Sequence, residues 1–429
     1  MISIARARDL LKHKLVKNAS ALVIVQMSAF AAPLLVLPYL TRVLSTDHFG
    51  LIAFATSFNY YFITLVEYGF NLTATRRIAV HQDDPEKVAK ICSSVYAAKA
   101  LLTVLGFVLM LAVVLATPKL RPHVGLFCIS YLTVIGDLLF PLWLFQGLQK
   151  MENLVWRDLV TKFLSLSLVF AFVRKDSDYM LAALFQAGSP LLAGLVGLIT
   201  VPIVAKVRLV RPSMQETITA LREGWPVFLS MAAFTLSSST SIFLLGLRSG
   251  PSDVAYYIAA YRLVVAIRAL VDPVKTAIYP HISHMAANSR QDAVAFLRKY
   301  SLILASPFLA VSLVLLAFAP LIVKVLYSPK YAPTILLLQI QAMSPFLLAF
   351  QHNYSTFFML AFGYDKAFSR LVLQMTVLNF IILIPSIYLM WPPLAVSITG
   401  LILDTFMAVM TYLFYRKHSR QFVLQPVAA

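Results

Sequence analysis

The side chains best suited to do chemistry in this chain are charged groups that fall inside long apolar runs. The run over residues 254–280 carries the densest set, with successive spacings of seven, four, three and four residues: Tyr261, Arg268, Asp272, Lys275 and Tyr279. This spacing places them on one face of a helix. Two cations and one anion make that face net positive, so we expect Asp272 to pair with Arg268 and the face to bind an anionic ligand. The alternatives are a structural ion-pair network, or a helix end at which Lys275 reaches the membrane surface.

Two further cations, Arg262 and Lys99, are candidates for the same anion-binding site. A proline also lies within the helix that carries Arg268 and Lys275. Arg262 precedes Arg268 in the same run, and Lys99 lies in the run over residues 93–117. Lys99 could line a cavity or reach the nearby membrane surface. Pro273 removes a backbone hydrogen bond, so we expect the helix to bend there.

Three carboxylates inside apolar runs are candidates for ion coupling: Glu67, Asp137 and Asp272. A carboxylate in such a setting can carry a proton or bind Na⁺, with its protonation linked to conformation. For Glu67 the alternative is a position near the membrane edge, where it would pair with Arg76 or Arg77.

Amide side chains supply further polar groups inside the apolar runs. Asn71 shares a helical face with Glu67, and Gln351 and Asn353 lie in an amide-rich run over residues 334–360. We expect these amides to line a cavity, although a neighbouring helix would also satisfy them.

The elements that position these residues are membrane-spanning helices. Of the 429 residues, 60% are hydrophobic and 13% are charged, and the mean hydropathy is +0.81. Such a composition requires lipid as a solvent, and the pattern predicts an all-α polytopic protein with about twelve transmembrane helices. The predicted spans are 19–41, 50–72, 93–117, 124–148, 154–173, 179–205, 224–247, 254–280, 301–323, 334–360, 367–390 and 393–415.

The distribution of positive charge predicts the orientation of the chain. Loops on one side of these spans carry 23 Lys and Arg, and loops on the other side carry 8. Because positive loops stay in the cytoplasm, we expect both termini to be cytoplasmic. The same rule accounts for the net charge of +18, so we expect no nucleic-acid partner.

The longest central polar break predicts two halves. Residues 1–205 would form an N-terminal six-helix bundle, 206–223 a cytoplasmic linker and 224–429 a C-terminal six-helix bundle. Substrate sites in two-lobed transporters lie between the halves near the middle of the bilayer, which predicts a central cavity.

The sequence contains few of the residue patterns that are typical of catalytic sites. Cys92 and Cys128 do not form a CxxC pair, and no metal-ligand spacing or phosphate-binding loop is present. An integral membrane enzyme would need paired carboxylates or a metal cluster on a long loop. We therefore expect no catalytic residue, no metal ion and no cofactor.

Four short motifs resemble the Wzx-type oligosaccharide flippases. They are PLLVLPYLTRVL at 33–44, EYGFNLTATRR at 67–77, FPLWLFQG at 140–147 and, more weakly, GWPVFLS at 224–230. Their order and the chain length fit that family along essentially the whole sequence. The chain departs from it by having Glu67 where many members have Asp, and Lys150 in a segment where an acidic residue is common.

This resemblance implies the multidrug/oligosaccharidyl-lipid/polysaccharide exporter fold, with two six-helix bundles working by alternating access. It implies an undecaprenyl-diphosphate-linked oligosaccharide as the substrate, moved from the cytoplasmic to the periplasmic leaflet of a bacterial inner membrane and coupled to H⁺ or Na⁺. Membrane lipids are then partners, and a polysaccharide polymerase and a chain-length regulator are candidate partners.

A cation-coupled exporter of small molecules or drugs with the same fold is the alternative function. Exported drugs are often cations, and a cavity lined by Arg268 and Lys275 would repel them. The net positive face therefore favours the oligosaccharide over the drug as the substrate.

Overall fold

The computed structural model of the protein describes residues 34–423, and within that range the chain is helical with no strands. The helices are α1 Leu34–Val43, α2 Thr46–Glu67, α3 Phe70–Val80, α4 Pro85–Ala116, α5 Val124–Ser130, α6 Leu132–Leu139, α7 Leu142–Gly147, α8 Glu152–Phe172, α9 Tyr179–Thr200, α10 Met214–Arg248, α11 Pro251–Arg268, α12 Val271–Asn288, α13 Arg290–Leu326, α14 Thr334–Gln341, α15 Ser344–Tyr354, α16 Asp365–Leu389 and α17 Pro392–Val423. Two π-helical segments, Val201–Ala205 and Ser355–Leu360, continue α9 and α15.

The described part of the chain contains nine helical stretches that are long and apolar enough to cross a membrane. Each coincides with one of the predicted spans. The fifth and seventh predicted spans coincide with α8 and α10, which are not among the nine. The first predicted span, 19–41, lies mostly outside the described residues, so the count of twelve stays a prediction.

Large apolar side chains face outward on several of these helices. Val104 on α4, Leu302 and Leu321 on α13 and Leu373 on α16 are all more than half exposed. A soluble protein would bury such continuous apolar faces, whereas a bilayer solvates them.

A left-handed turn separates α2 from α3 inside the first of the nine spans. Tyr68 has φ +46° and Gly69 has φ +80°, a conformation that favours glycine. A Cβ on Gly69 would also lie 2.5 Å from Val227 Cγ1 on α10. The glycine therefore ends α2 at Glu67 and lets α10 approach closely.

Helices α6 and α9 cross with their backbones in contact. A Cβ on Gly136 would collide with the backbone of Pro190, and a Cβ on Gly194 would collide with the carbonyl oxygen of Gly136. Small residues at a crossing allow the close approach that drives helix association in membranes. The crossing fixes the position of Asp137, the residue after Gly136.

The span predicted over residues 254–280 is broken in the middle. Helix α11 ends at Arg268 and α12 begins at Val271, two residues before Pro273. Proline lacks the N–H that would bond the carbonyl oxygen of residue 269, four residues earlier, so the interruption lies where Pro273 was predicted to disturb the helix. The break puts Arg268 and Asp272 on different helices.

The described chain divides into two compact units between Phe243 and Leu244. That division falls within α10, whereas the sequence predicts a linker over residues 206–223. An irregular stretch over 206–213 lies within that linker, and α10 begins at Met214. The predicted bundle boundaries themselves stay a prediction.

Candidate functional site

In the first unit, a buried lysine joins α4 to α6. Lys99 is 2% exposed, and its Nζ donates to the backbone oxygen of Asp137 at 2.8 Å and to Asp137 Oδ2 at 3.1 Å. A buried ammonium must be paired, and this carboxylate is the partner. Lys99 was predicted to belong to a substrate-binding cationic cavity, and the geometry instead places it against a candidate coupling carboxylate.

Glu67 belongs to the same cluster. It is the last residue of α2, half-buried, and its Oε1 accepts a hydrogen bond from Asn71 Nδ2 at 2.9 Å across the left-handed turn. The charges of Asp137 and Lys99 both act on the Glu67 carboxylate. Arg77 Nη1 lies 3.4 Å from Glu223 Oε2, so the alternative pairing of Glu67 with Arg77 is not what the structure shows.

A small cavity of about 170 Å³ opens beside Asp137 in the first unit. Its charged lining consists of Asp137, Asp158 and Lys162, and the rest of the lining is Ile63, Thr133, Gly136, Phe140, Ser189, Pro190 and Ala193. Asp158 and Lys162 form an ion pair one helical turn apart on α8. Asp158 is a residue that the sequence analysis missed, and its i,i+4 spacing from Lys162 was the available signal.

The charges of this cluster do not balance when every group is ionised. Glu67, Asp137 and Asp158 are three carboxylates, whereas Lys99 and Lys162 are two ammonium groups. A net negative charge inside an apolar protein is costly and favours uptake of a proton or binding of a monovalent cation. We refer to these five residues as the acidic cluster.

In the second unit, Arg268 binds a carboxylate from α17. Its Nη1 donates to Asp404 Oδ2 at 3.1 Å and to Ser344 Oγ at 2.7 Å, and Ser344 Oγ also hydrogen-bonds Asp404. The predicted pairing of Arg268 with Asp272 is therefore wrong. The break between α11 and α12 separates those two side chains, and Asp404 replaces Asp272 as the partner.

Asp272 pairs instead with Lys275, one turn along α12, at 2.5 Å between Oδ1 and Nζ. His352 on α15 lies within electrostatic reach of Lys275, Asp272 and Arg268, and its Nδ1 is 3.0 Å from Thr356 Oγ1. With Asp404 included, two cations face two carboxylates, so the predicted net positive face is neutral. We call Arg268, Ser344, Asp404, Asp272, Lys275 and His352 the paired cluster.

The remaining predicted residues occupy separate environments in the second unit. Arg262 is half-buried on α11, where its charge acts on Tyr327. Asn353 is 2% exposed and donates from Nδ2 to the backbone oxygen of Ser301 at 2.7 Å. Gln351 is half-buried on α15. Their roles in lining a cavity stay predictions.

The helices, the outward apolar faces and the charged clusters inside spans together define a multi-pass helical membrane protein. Residues 15–286 match a protein family described as "Polysaccharide biosynthesis protein". A curated relative from Escherichia coli (strain K12), named "Putative O-antigen transporter", is 33% identical over 87% of this chain and 90% of its own length. A second relative of that name, from Shigella dysenteriae, is 27% identical over 87% of this chain and 93% of its own.

The chain therefore belongs to the polysaccharide biosynthesis protein family. The resemblance to the Wzx-type flippases predicted from the four motifs is confirmed by these matches.

Solved structures share the fold. One is described as an inward-facing conformation of a multidrug resistance MATE family transporter of the MOP superfamily, with a TM-score of 0.71 and 15% identity over 95% of this chain and 100% of that one. Another, a MATE protein in complex with MaD3S, has a TM-score of 0.56 at 15% identity over 95% of this chain and 96% of that one. These matches confirm the all-α polytopic fold class.

Proposed function

We propose that this protein is a flippase that moves undecaprenyl-diphosphate-linked oligosaccharide from the cytoplasmic to the periplasmic leaflet of a bacterial inner membrane, for surface polysaccharide of the O-antigen type. The observation that carries the proposal is the paired cluster, which holds two cations inside the spans of a chain from a polysaccharide biosynthesis family. Sugar hydroxyls and a diphosphate cannot cross hydrocarbon unaided, because each desolvated polar group costs a few kcal/mol.

The paired cluster supplies a mechanism for binding and releasing a diphosphate. The phosphate oxygens would replace Asp404 on Arg268 and Asp272 on Lys275, since guanidinium and ammonium groups bind phosphate as readily as carboxylate. Release would follow when the two carboxylates return to their cations. The cycle would run by alternating access.

Charge balance supports coupling to a cation. A diphosphate that enters the neutral paired cluster leaves it net negative unless Asp272 and Asp404 take up protons. Among its five residues the acidic cluster has one more carboxylate than ammonium groups, which supports the binding of one H⁺ or Na⁺ there. We assign this coupling to Glu67, Asp137 and Asp272, and we add Asp158 because it lines the cavity beside Asp137.

The experiment is complementation of a strain that lacks the gene. Arg268→Ala and Lys275→Ala should each abolish surface polysaccharide while the protein stays in the membrane in normal amount, because each removes a phosphate-binding cation. Lys366→Ala, which removes an exposed cation in the first turn of α16, is the matched control and should complement fully.

Full surface polysaccharide with both Arg268→Ala and Lys275→Ala would contradict the proposed binding site. Drug hypersensitivity of the deletion strain, with normal surface polysaccharide, would favour the small-molecule exporter instead.

A further inference from the structure

A second and larger cavity lies in the second unit. It has a volume of about 620 Å³ and lies between α13, α15 and α17. Its lining includes three arginines together with Ser301, Leu302, Tyr354, Tyr412 and Tyr415. None of the paired-cluster residues lines it, and the proposed function leaves it without a role.

The cavity is strongly cationic. Arg298, Arg416 and Arg420 line it, and its lining contains no carboxylate. All three arginines are exposed, and in the part of the chain that the structure describes no ion pair joins them to a carboxylate. Three guanidinium groups converging on one cavity repel one another, so an anion that enters it is favoured.

The floor of the cavity is aromatic and fixed in place. The ring of Tyr354 lies 4.9 Å from the ring of Tyr415 and 5.2 Å from that of Tyr412, and its hydroxyl lies 3.2 Å from Ser301 Oγ. Tyr354 and Ser301 are buried, at 4% and 3% exposed. A rigid floor of rings and hydroxyl groups preorganises the site, which reduces the entropy lost on binding.

One wall of the cavity faces lipid. Leu302 is 65% exposed, and its neighbour Ile303 is 59% exposed, on the span α13 that presents much of its apolar surface outward. The arginines lie toward the ends of α13 and α17 that the positive-inside rule assigns to the cytoplasm. An amphiphile could therefore place its head among the arginines and its chain along α13.

We propose that this cavity binds the headgroup of a membrane lipid that carries two phosphates. Arginine forks bind phosphate oxygens in bidentate fashion, and basic pockets between spans on the cytoplasmic side are suited to such headgroups. Three positive charges match a headgroup with two phosphates better than a headgroup with one. The inference rests on the membrane-spanning fold, and only the assignment of the cavity to the substrate rests on the proposed transport function.

Two lipids share this chemistry, and the experiment distinguishes them. The purified full-length protein in detergent is titrated separately with undecaprenyl diphosphate and with cardiolipin, and phosphatidylcholine serves as the lipid without net charge. Bound lipid is counted by native mass spectrometry. Wild-type protein should bind at least one of these two lipids, each of which carries two phosphates, more tightly than phosphatidylcholine.

The variant R298Q/R416Q removes two cavity arginines. It should weaken binding of the preferred lipid by about tenfold or more, because each charge-assisted hydrogen bond contributes enough for such a factor. The matched control is K299Q/K417Q. It removes two exposed lysines, each of which directly follows one of the two arginines in the sequence and does not line the cavity. It should change binding by no more than about twofold, since it alters only the surface charge.

The lipid whose binding R298Q/R416Q weakens is the lipid that the cavity binds. Loss of undecaprenyl diphosphate binding makes the cavity a second contact for the substrate, and loss of cardiolipin binding makes it a site for a bulk lipid. Equal weakening by R298Q/R416Q and K299Q/K417Q would overturn the proposal, as would the absence of preferential binding by the wild-type protein. Matching melting temperatures of the lipid-free variants establish that both are folded.

Discussion

At the scale of single residues, the acidic cluster concentrates three charged groups whose positions were predicted separately. Glu67, Lys99 and Asp137 lie on three different helices, and each was recognised from its charge inside an apolar run. Their convergence could not be predicted, because it depends on how α2, α4 and α6 pack. Asp137 is held by Lys99, and Glu67 lies within the field of both.

The Glu67 carboxylate should link transport to the cation gradient. Glu67→Gln keeps the hydrogen bond to Asn71 and removes the titratable charge. We therefore expect transport that responds weakly or not at all to an imposed H⁺ or Na⁺ gradient, measured as gradient-dependent translocation in vesicles. Glu86→Gln, at an exposed position outside the cluster, should leave the response unchanged. An unaltered gradient response in Glu67→Gln would remove Glu67 from the coupling mechanism.

The pair of Arg268 and Asp404 should be energetically coupled. Their side chains are 29% and 17% exposed, so removal of either partner leaves a partly buried charge unpaired. We expect Arg268→Gln and Asp404→Asn each to destabilise the protein by about 1–3 kcal/mol, with the double variant less destabilised than the sum. Thermal unfolding in detergent measures this, and strictly additive effects would contradict the pairing.

The sequence predicted the residues of the paired cluster better than their pairing. Helical spacing put Arg268 and Asp272 on one face, and that would hold for an unbroken helix. The break at residues 269–270 separates them, and Asp404, more than a hundred residues away, takes the place of Asp272. A pattern of local spacing contains no information about such a distant partner.

At the scale of elements, the crossing of α6 and α9 holds the acidic cluster in position. Gly136 and Gly194 form the contact between the two helices, and Asp137 is the next residue after Gly136. Gly136→Ala should destabilise the protein by about 1–3 kcal/mol, because the added methyl group collides with rigid backbone rather than with a flexible side chain. Thermal unfolding in detergent provides the measurement.

A glycine on the same α9 helix gives the control for this crossing. A Cβ on Gly188 would meet nothing within 4 Å, so Gly188→Ala should be neutral or slightly stabilising, since alanine favours helix more than glycine does. Equal melting temperatures for Gly136→Ala and Gly188→Ala would show that the crossing is not tight.

At the scale of the whole molecule, hydropathy predicted the helices well because the bilayer imposes their length. The nine candidate spans of the described residues all fall where they were predicted. The breaks at Tyr68–Gly69 and at residues 269–270 lie inside spans. They scarcely alter the hydropathy averaged over a span, so hydropathy does not predict them. The position of the division within α10 depends on packing and was likewise not predictable from composition.

The predicted orientation of the whole chain can be tested with introduced cysteines. In a background with Cys92→Ala and Cys128→Ala, Gln82→Cys should react with an impermeant maleimide only after the inner membrane is opened. Lys119→Cys should react in intact spheroplasts. Both positions are exposed, and they lie at opposite ends of α4, so the positive-inside rule assigns them to opposite sides. Reversed labelling would place both termini in the periplasm.

The central claim is that the chain moves a lipid-linked oligosaccharide between leaflets, and vesicles test it most directly. The purified protein is reconstituted with a fluorescent oligosaccharide linked to undecaprenyl diphosphate, and an impermeant quencher reports the fraction in the outer leaflet over time. We predict translocation that exceeds that of protein-free vesicles, responds to an imposed H⁺ or Na⁺ gradient and falls sharply in Arg268→Ala. Translocation no faster than in protein-free vesicles under either gradient would contradict the account.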